Sequence, residues 1–273
     1  MDAKMHWEEV YATKAPESVS WYRAHLETSL ALIERAAVAR ASSIIDIGGG
    51  ESTLVDDLLL RGYKNLTVLD VSRTAIEVTR KRLHSAAGQV RWLVGDILEL
   101  ELEPHAYALW HDRAVFHFLT TPEQRLGYIR QVTRAVNPGG HVIVSTFGPE
   151  GPTTCSGLAV MRYDAESLHG EFGGRFRLVK SSRELHQTPF GAKQQYLYCY
   201  CRLEYNPGVA ICASRELQLD SSFLETEWVV LRGCNSLHLG AAEGQFGRFP
   251  RGDAAGNFTD TIKPAALQQA RGY

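Results

Sequence analysis

The 273-residue chain lacks several things, and each absence removes a class of function. No apolar run approaches the roughly twenty residues that cross a bilayer, and Met1 to Trp7 does not read as a signal peptide, which points to a cytoplasmic protein with no membrane partner. Basic residues are in no surplus, 29 against 31 acidic, so nothing marks nucleic acid as a partner. Five cysteines, an odd number without Cys-x-x-Cys spacing, give neither a disulfide framework nor a zinc site, and reduced thiols are the simplest account. No metal ligand set is assigned. A third glycine is missing as well: the dinucleotide fingerprint Gly-x-Gly-x-x-Gly counted from Gly48 requires glycine at position 53, where Thr53 stands. That weakens an NAD-dependent oxidoreductase reading without removing it.

What is present begins with Ile44-Ile45-Asp46-Ile47-Gly48-Gly49-Gly50-Glu51, followed about twenty residues on by Leu66-Thr67-Val68-Leu69-Asp70-Val71. An apolar strand runs into a glycine turn, then a helix expected from near Glu51, then a second strand that ends on an acid. Gly48 and Gly50 suit a turn where backbone must press against a ligand, and Asp70 is placed to accept hydrogen bonds from both hydroxyls of a ribose. A buried strand rarely ends in a carboxylate without a partner.

The remaining pattern is an alternation. Strands are expected at about 43–47, 66–70, 90–95, 107–111 and 140–146, with helices near 51–62, 72–86 and 122–136 between them. Leu26, Leu30, Ile33 and Ala37 form a helical stripe within Tyr22–Ala37 that would cover one side of the sheet. Such alternation means parallel strands with crossover helices on both faces. Pro138-Gly139-Gly140 is expected to end the helix before the fifth strand, and a short helix near Ala165–Phe172 precedes two further strands, Phe176–Glu184 and Gln194–Leu203.

In order and spacing, Asp46-x-Gly48-x-Gly50, Asp70, Gly95-Asp96-Ile97, His111-Asp112-Arg113 and Asn137-Pro138-Gly139-Gly140 resemble the motifs of class I S-adenosylmethionine-dependent methyltransferases. The resemblance covers roughly residues 6 to 204. It implies a Rossmann-like α/β three-layer sandwich, a mostly parallel seven-stranded sheet closed by an antiparallel hairpin, with S-adenosylmethionine as the cofactor. On that resemblance Asp96, read as ending the third strand, meets the adenine amino group, Ile97 packs on the ring, and Val71 lines it. Asp112 and Arg113 lie where the methionine portion meets the acceptor. Arg113 would pair with Asp112 or face an acidic substrate, and His111 or His117 has the chemistry of a general base, though a structural role is the commoner fate of each.

The amino-terminal aromatics add a second likeness. Trp7 and Tyr11, four apart, share a helical face, and with Trp21-Tyr22 upstream of the glycine turn they resemble the arrangement in a group that includes eukaryotic protein lysine methyltransferases, where such residues close the cofactor pocket. Packing residues of an amphipathic helix would look the same. After the fourth strand the likeness fails, because Arg113 stands where those enzymes typically carry lysine. Without an Asn/Asp-Pro-Pro-Tyr/Phe motif, methylation of base or glutamine amino groups is disfavoured. Phe116, His117 and Phe118 read as an aromatic rim for a small or flat acceptor.

The expected function is therefore methyl transfer to a small molecule. A protein lysine is the alternative, and an NAD-dependent oxidoreductase or a non-catalytic cofactor-binding protein stands behind it. Residues 1–204 make the methyltransferase domain, with a helical cap at its amino end. Residues 205–273, with eight glycines and no sustained period, form an extension that reads equally as a flexible tail, a small packed addition, or sequence from a shifted frame or fusion.

Overall fold

The computed structural model describes residues 3–204, so the expectations for the extension from 205 onward lie outside the described residues. Helix α1 (Ala3–Thr13) and helix α2 (Glu27–Ala36) precede the alternating part of the chain. That part runs β1 (Ser43–Ile47), α3 (Leu54–Leu60), β2 (Asn65–Asp70), α4 (Arg73–Leu83), β3 (Val90–Val94), β4 (Tyr107–Arg113), α5 (Pro122–Ala135) and β5 (Val136–Phe147). A two-stranded ribbon, β6 (Thr154–Cys155) and β7 (Leu158–Ala159), comes next, then α6 (Ala165–Phe172) and the long hairpin β8 (Phe176–Gln187) and β9 (Lys193–Leu203).

The seven-stranded sheet has the order β3-β2-β1-β4-β5-β9-β8. The first five strands are parallel and β9 runs antiparallel to both its neighbours. Chain order reverses direction between β1 and β4, and a crevice opens at the carboxyl ends of strands at such a point. Strands this apolar, buried on both faces, need helices above and below. One face packs Leu30 and Ile33 of α2, Leu54 and Leu58 of α3 and Ile76 of α4. The other packs Trp110, Tyr128, Val132, Leu168 and Phe172 beneath α5 and α6.

Local chemistry sets the helix starts. Ser72 caps α4 by accepting from the Ala75 N–H, and reciprocal capping boxes start α5 (Thr121 with Gln124) and α6 (Asp164 with Ser167). Several boundaries differ from the sequence reading by a few residues, and three of them have a plain structural account. Helix α3 starts at Leu54 rather than near Glu51, because Glu51, Ser52 and Thr53 stay in the turn, where Ser52 Oγ accepts from the Leu54 N–H at 3.1 Å. Helix α2 starts at Glu27, five residues after Tyr22. Pro138-Gly139-Gly140 does not follow the end of α5 as a loop: β5 begins at Val136 and takes the three residues in, with Gly139 at φ +77° and the β4–β5 register shifting between Tyr107 and Leu109.

One buried polar chain ties β4 to α5. Tyr128, fully buried, donates to Asp112 Oδ2 and accepts from Trp110 Nε1 at 2.9 Å. Replacing Tyr128 with Phe leaves an indole N–H and a carboxylate oxygen short of a partner in a dry core. Tyr128→Phe should cost about 1–3 kcal/mol, measured as a lower urea midpoint at unchanged m value; a midpoint equal to the parent's would show that the chain carries no stabilisation.

Candidate active site

The glycine turn and Asp70 form one unit. The Gly50 N–H donates to Asp70 Oδ2 at 3.0 Å and the Ser72 N–H to Oδ1 at 2.9 Å, across the gap between β1 and β2. Gly48, at φ +68°, donates to the Leu69 carbonyl at 2.7 Å. The glycines answer first to protein packing. A Cβ on Gly50 would lie 2.7 Å from Asp70 Oδ2, and one on Gly48 would strike Val115. Burial pushes the Asp70 carboxyl up to about 6, although the Ser72 and Gly50 N–H bonds favour its ionised form. Each of its oxygens keeps a lone pair for a further donor.

Glu51, which sequence reasoning passed over, is buried at the mouth of this turn, and neither of its carboxylate oxygens has a hydrogen-bond partner among the described residues. Burial and then the nearby Asp70 push it up to about 7. Only its place immediately after the second strand-turn glycine could have flagged it.

Both histidines turn out to be structural. His111 bonds Asp46 Oδ1 at 2.7 Å through Nδ1 and Ser29 Oγ at 2.9 Å through Nε2, so both ring nitrogens are engaged. This follows from the pairing of Asp46 with His111 across β1 and β4, which sets the two on one face. His117 Nδ1 accepts from the Phe147 N–H at 3.3 Å, and burial followed by the charge of Arg113 pushes its pKa down to about 3. A neutral ring that accepts through Nδ1 carries its proton on Nε2, so it has no lone pair to offer as a base.

Asp112 does not belong to the crevice. Its oxygens accept from the Val115 N–H at 2.8 Å, the Phe116 N–H at 3.1 Å and Tyr128, and it faces the α5 side of the sheet. The side-chain alternation of a strand decides this, since Asp112 shares its face with Trp110, and His111 shares the other with Arg113. Arg113 therefore does not pair with Asp112. Its Nη1 donates to the Trp21 carbonyl at 3.1 Å, its Nε to Tyr198 Oη at 3.3 Å, and its guanidinium lies 4.3 Å above the ring of Tyr196. The aromatic rim shrinks accordingly: Phe116 packs in the core against Tyr128, Tyr163 and Phe172, and Phe118 alone of the three faces the aminoterminal aromatics.

Those aromatics form a cluster. Trp7 stacks on Tyr11 at 5.7 Å, meets Trp21 edge-on at 5.8 Å and Phe118 at 5.2 Å. A residue the sequence did not single out pins the helix that carries them. Glu8 accepts from Ser72 Oγ at 2.9 Å and from the backbone N–H groups of Arg73 at 2.7 Å and Thr74 at 3.1 Å, closing α1 onto the start of α4. The partners lie more than sixty positions away, out of reach of any local pattern.

The residues expected on the adenine side are more dispersed. Val71 is half-buried next to Asp70. Strand β3 stops at Val94, so Asp96 sits two residues beyond it, half-buried, with Oδ1 accepting from the Leu98 N–H at 2.8 Å. Ile97 is buried in the core on the α5 side. Between the turn and the 16–26 segment lies a cavity of about 50 Å³ whose walls include Tyr11, Trp21, Asp46, Gly48, Glu51 and Arg113.

Residues 44–140 match the profile of a methyltransferase domain family. Over 138 residues, half of this chain, it is 24% identical to the mouse (Mus musculus) eEF1A lysine and N-terminal methyltransferase, of which that match covers 19%. Over 120 residues it is 27% identical to the ubiquinone/menaquinone biosynthesis C-methyltransferase of Roseobacter denitrificans, 43% of this chain and 47% of the relative. The chain thus spans less than half the length of these two relatives. Among solved structures, the Burkholderia thailandensis 1,6-didemethyltoxoflavin-N1-methyltransferase with S-adenosylhomocysteine bound shares the fold at a TM-score of 0.54 and 19% identity, over 74% of this chain and 84% of that one. No helix among the described residues is long and apolar enough to cross a membrane.

The Glu8 latch is directly testable. Glu8→Ala removes three acceptor contacts at a helix start, worth roughly 1 kcal/mol or more, and should speed tryptic cleavage after Lys14 about five-fold with little change in melting temperature. Unchanged cleavage would mean that the aromatic cluster alone holds α1.

Proposed function

We propose that residues 1–204 form a methyltransferase domain that takes S-adenosylmethionine as donor and a small molecule as acceptor. The observation that carries the donor assignment is the Asp70 carboxylate, fixed by the Gly50 and Ser72 N–H groups at the carboxyl end of β2 with lone pairs to spare. It can accept from both ribose hydroxyls while Gly48 and Gly50 hold the turn beside it. Val71, Asp96 and Ile97 flank the adenine side, with Ile97 contributing backbone rather than an exposed side chain. Asp46, fixed by His111, and the Trp7, Tyr11 and Trp21 cluster border the rest of the donor.

When bound, the donor supplies an already activated methyl group. The domain's own residues then have to orient, cover and exclude water. Positioning of that kind can lower a barrier by several kcal/mol or more. With His111 and His117 both committed to structural bonds, neither serves as base, and a protonated acceptor would have to rely on Glu51. The methyltransferase family match gives no support to the nicotinamide alternative. A protein lysine acceptor keeps one argument, the match to eEF1A-directed relatives, and is the second reading.

Two measurements bear on the donor. Asp70→Ala should weaken S-adenosylhomocysteine binding at least about 100-fold in calorimetry, since each hydrogen bond to a charged group contributes about 1.5–3 kcal/mol; circular dichroism must show an intact fold, and unaltered affinity would refute the ribose assignment. Affinity should also fall as pH drops through about 6, because a protonated carboxyl loses acceptor capacity on the ribose side, by up to about ten-fold per unit below that value. A flat profile from pH 8 to 5 in the parent would contradict ionised Asp70 as the acceptor.

A further inference from the structure

The crevice has a buried guanidinium with an unbonded nitrogen on its β4 side. Arg113, with a side chain only 7% exposed, shares Glu184 with Arg23: Glu184 Oε1 lies 3.9 Å from Arg113 Nη2, beyond hydrogen-bond reach, and 3.5 Å from Arg23 Nη1. Arg113 Nη2 has no hydrogen bond among the described residues, and neither has the hydroxyl of fully buried Tyr196, whose ring lies under the same guanidinium. The groups around them add no negative charge. His186 donates through Nε2 to the Ser20 carbonyl at 2.7 Å and is kept toward its neutral form by burial; His117 is neutral, and burial holds the Cys155 thiol up at about 12. The acids of the cavity, Asp46 and Glu51, belong to the turn on its β1 side. Arg23 is held by Glu27 at 2.7 Å, so Glu184, 3.9 Å away and outside hydrogen-bond reach, is the carboxylate left to Arg113, and a buried guanidinium whose Nη2 bonds nothing is costly unless something brings an acceptor.

We infer that Arg113 and Tyr196 form an anion subsite for the methyl acceptor, and that the acceptor is a small molecule carrying a carboxylate or a similarly delocalised anion. Arg113 Nη2 and the Tyr196 hydroxyl are donors without a partner among the described residues, as is His117 Nε2, and guanidinium with carboxylate is a pairing that both charge and planar geometry favour. The cavity of about 50 Å³ has Arg113 in its wall, with Tyr196 against that guanidinium but not in the wall itself, and has room for a few waters or one such group. The sheet brings the two residues together: Arg113 ends β4, Tyr196 begins the β5-facing part of β9, and both point to the α2 side at the carboxyl edge. An ammonium, as on lysine, would meet the guanidinium head-on. This inference rests on the methyl-transfer reading and narrows it to one acceptor class.

The test uses the full chain saturated with S-adenosylhomocysteine, with benzoate and its neutral isostere benzamide as probes in calorimetry. Benzoate should bind at least ten-fold more tightly than benzamide. Tyr196→Phe, which removes a hydroxyl that bonds nothing in the fold and keeps the ring, should weaken benzoate several-fold, and Arg113→Met should abolish its binding. Glu184→Gln should strengthen benzoate several-fold by removing the competing carboxylate, an effect opposite in sign to structural damage, so the inference stays testable even if Arg113→Met fails to fold. Equal affinity for the two probes, or benzoate binding indifferent to Tyr196→Phe and Glu184→Gln, overturns the subsite. So does an Arg113→Met protein that loses S-adenosylhomocysteine affinity instead, since the guanidinium would then hold the donor's carboxylate. Failure of the parent to bind S-adenosylhomocysteine at all would instead overturn the donor reading.

Discussion

The position of a single carboxylate, Asp70, organises the crevice. It is buried at the end of β2, yet it accepts from the N–H of Gly50 in the turn after β1 and from Ser72 at the cap of α4. Those two bonds lock turn, strand and helix into one geometry. They also explain why the glycines cannot be larger, for a Cβ at position 50 would press on the very oxygen that the Gly50 N–H is bonded to. Glu8 extends the same junction outward: it bonds Ser72, Arg73 and Thr74, so the aromatic cap is fastened to the element that orients Asp70.

Charge is distributed by strand face. Asp46 and His111 pair across β1 and β4 on one side of the sheet, and Asp112, one residue on from His111, turns to the other side and bonds the loop that follows. Arg113 returns to the crevice side and meets the tyrosines of β9. Acid at the β1–β2 end and a guanidinium at the β4–β9 end give the crevice a polarity along the sheet edge. A cationic donor and an anionic acceptor would lie along it in that order, each screened from water by the aromatic cap. In a setting of lowered dielectric such charges act more strongly than at the surface.

Much of this was legible in the sequence, for reasons that can be named. The alternation of apolar strands and helical stripes depends on local periodicity, so β1 and α6 fall at their expected bounds and the other parallel strands within a few residues. Asp70 was readable because an acid ending a buried strand is improbable without a task. What escaped were contacts between distant positions. Glu8 meets Ser72, Arg113 meets Tyr198, and His186 meets Ser20, pairs that no window along the chain connects. Asp112 was misplaced for a different reason. Proximity in sequence to Arg113 hid the two-residue period of a strand, which sends neighbours to opposite faces. Phe116 and Phe118 were separated by the turn between them in the same way.

The two histidines of the described crevice are not free bases, whereas Glu51, without a hydrogen-bond partner among the described residues and pushed up to about 7, is a carboxylate of the cavity able to take a proton. A general base is required only where the acceptor arrives protonated at the attacking atom, and His111 and His117 are each held by two demands that a proton shuttle could not satisfy: fixed tautomer and, for His117, a pKa far below working pH. Under the proposed subsite, the unbonded nitrogen of Arg113 favours an acceptor that is anionic. Carboxylates meet that condition near neutrality and amines of lysine type do not, since these are cationic there. The unbonded guanidinium nitrogen is thus the feature that bears on acceptor chemistry, as neither the fold nor the donor motifs do.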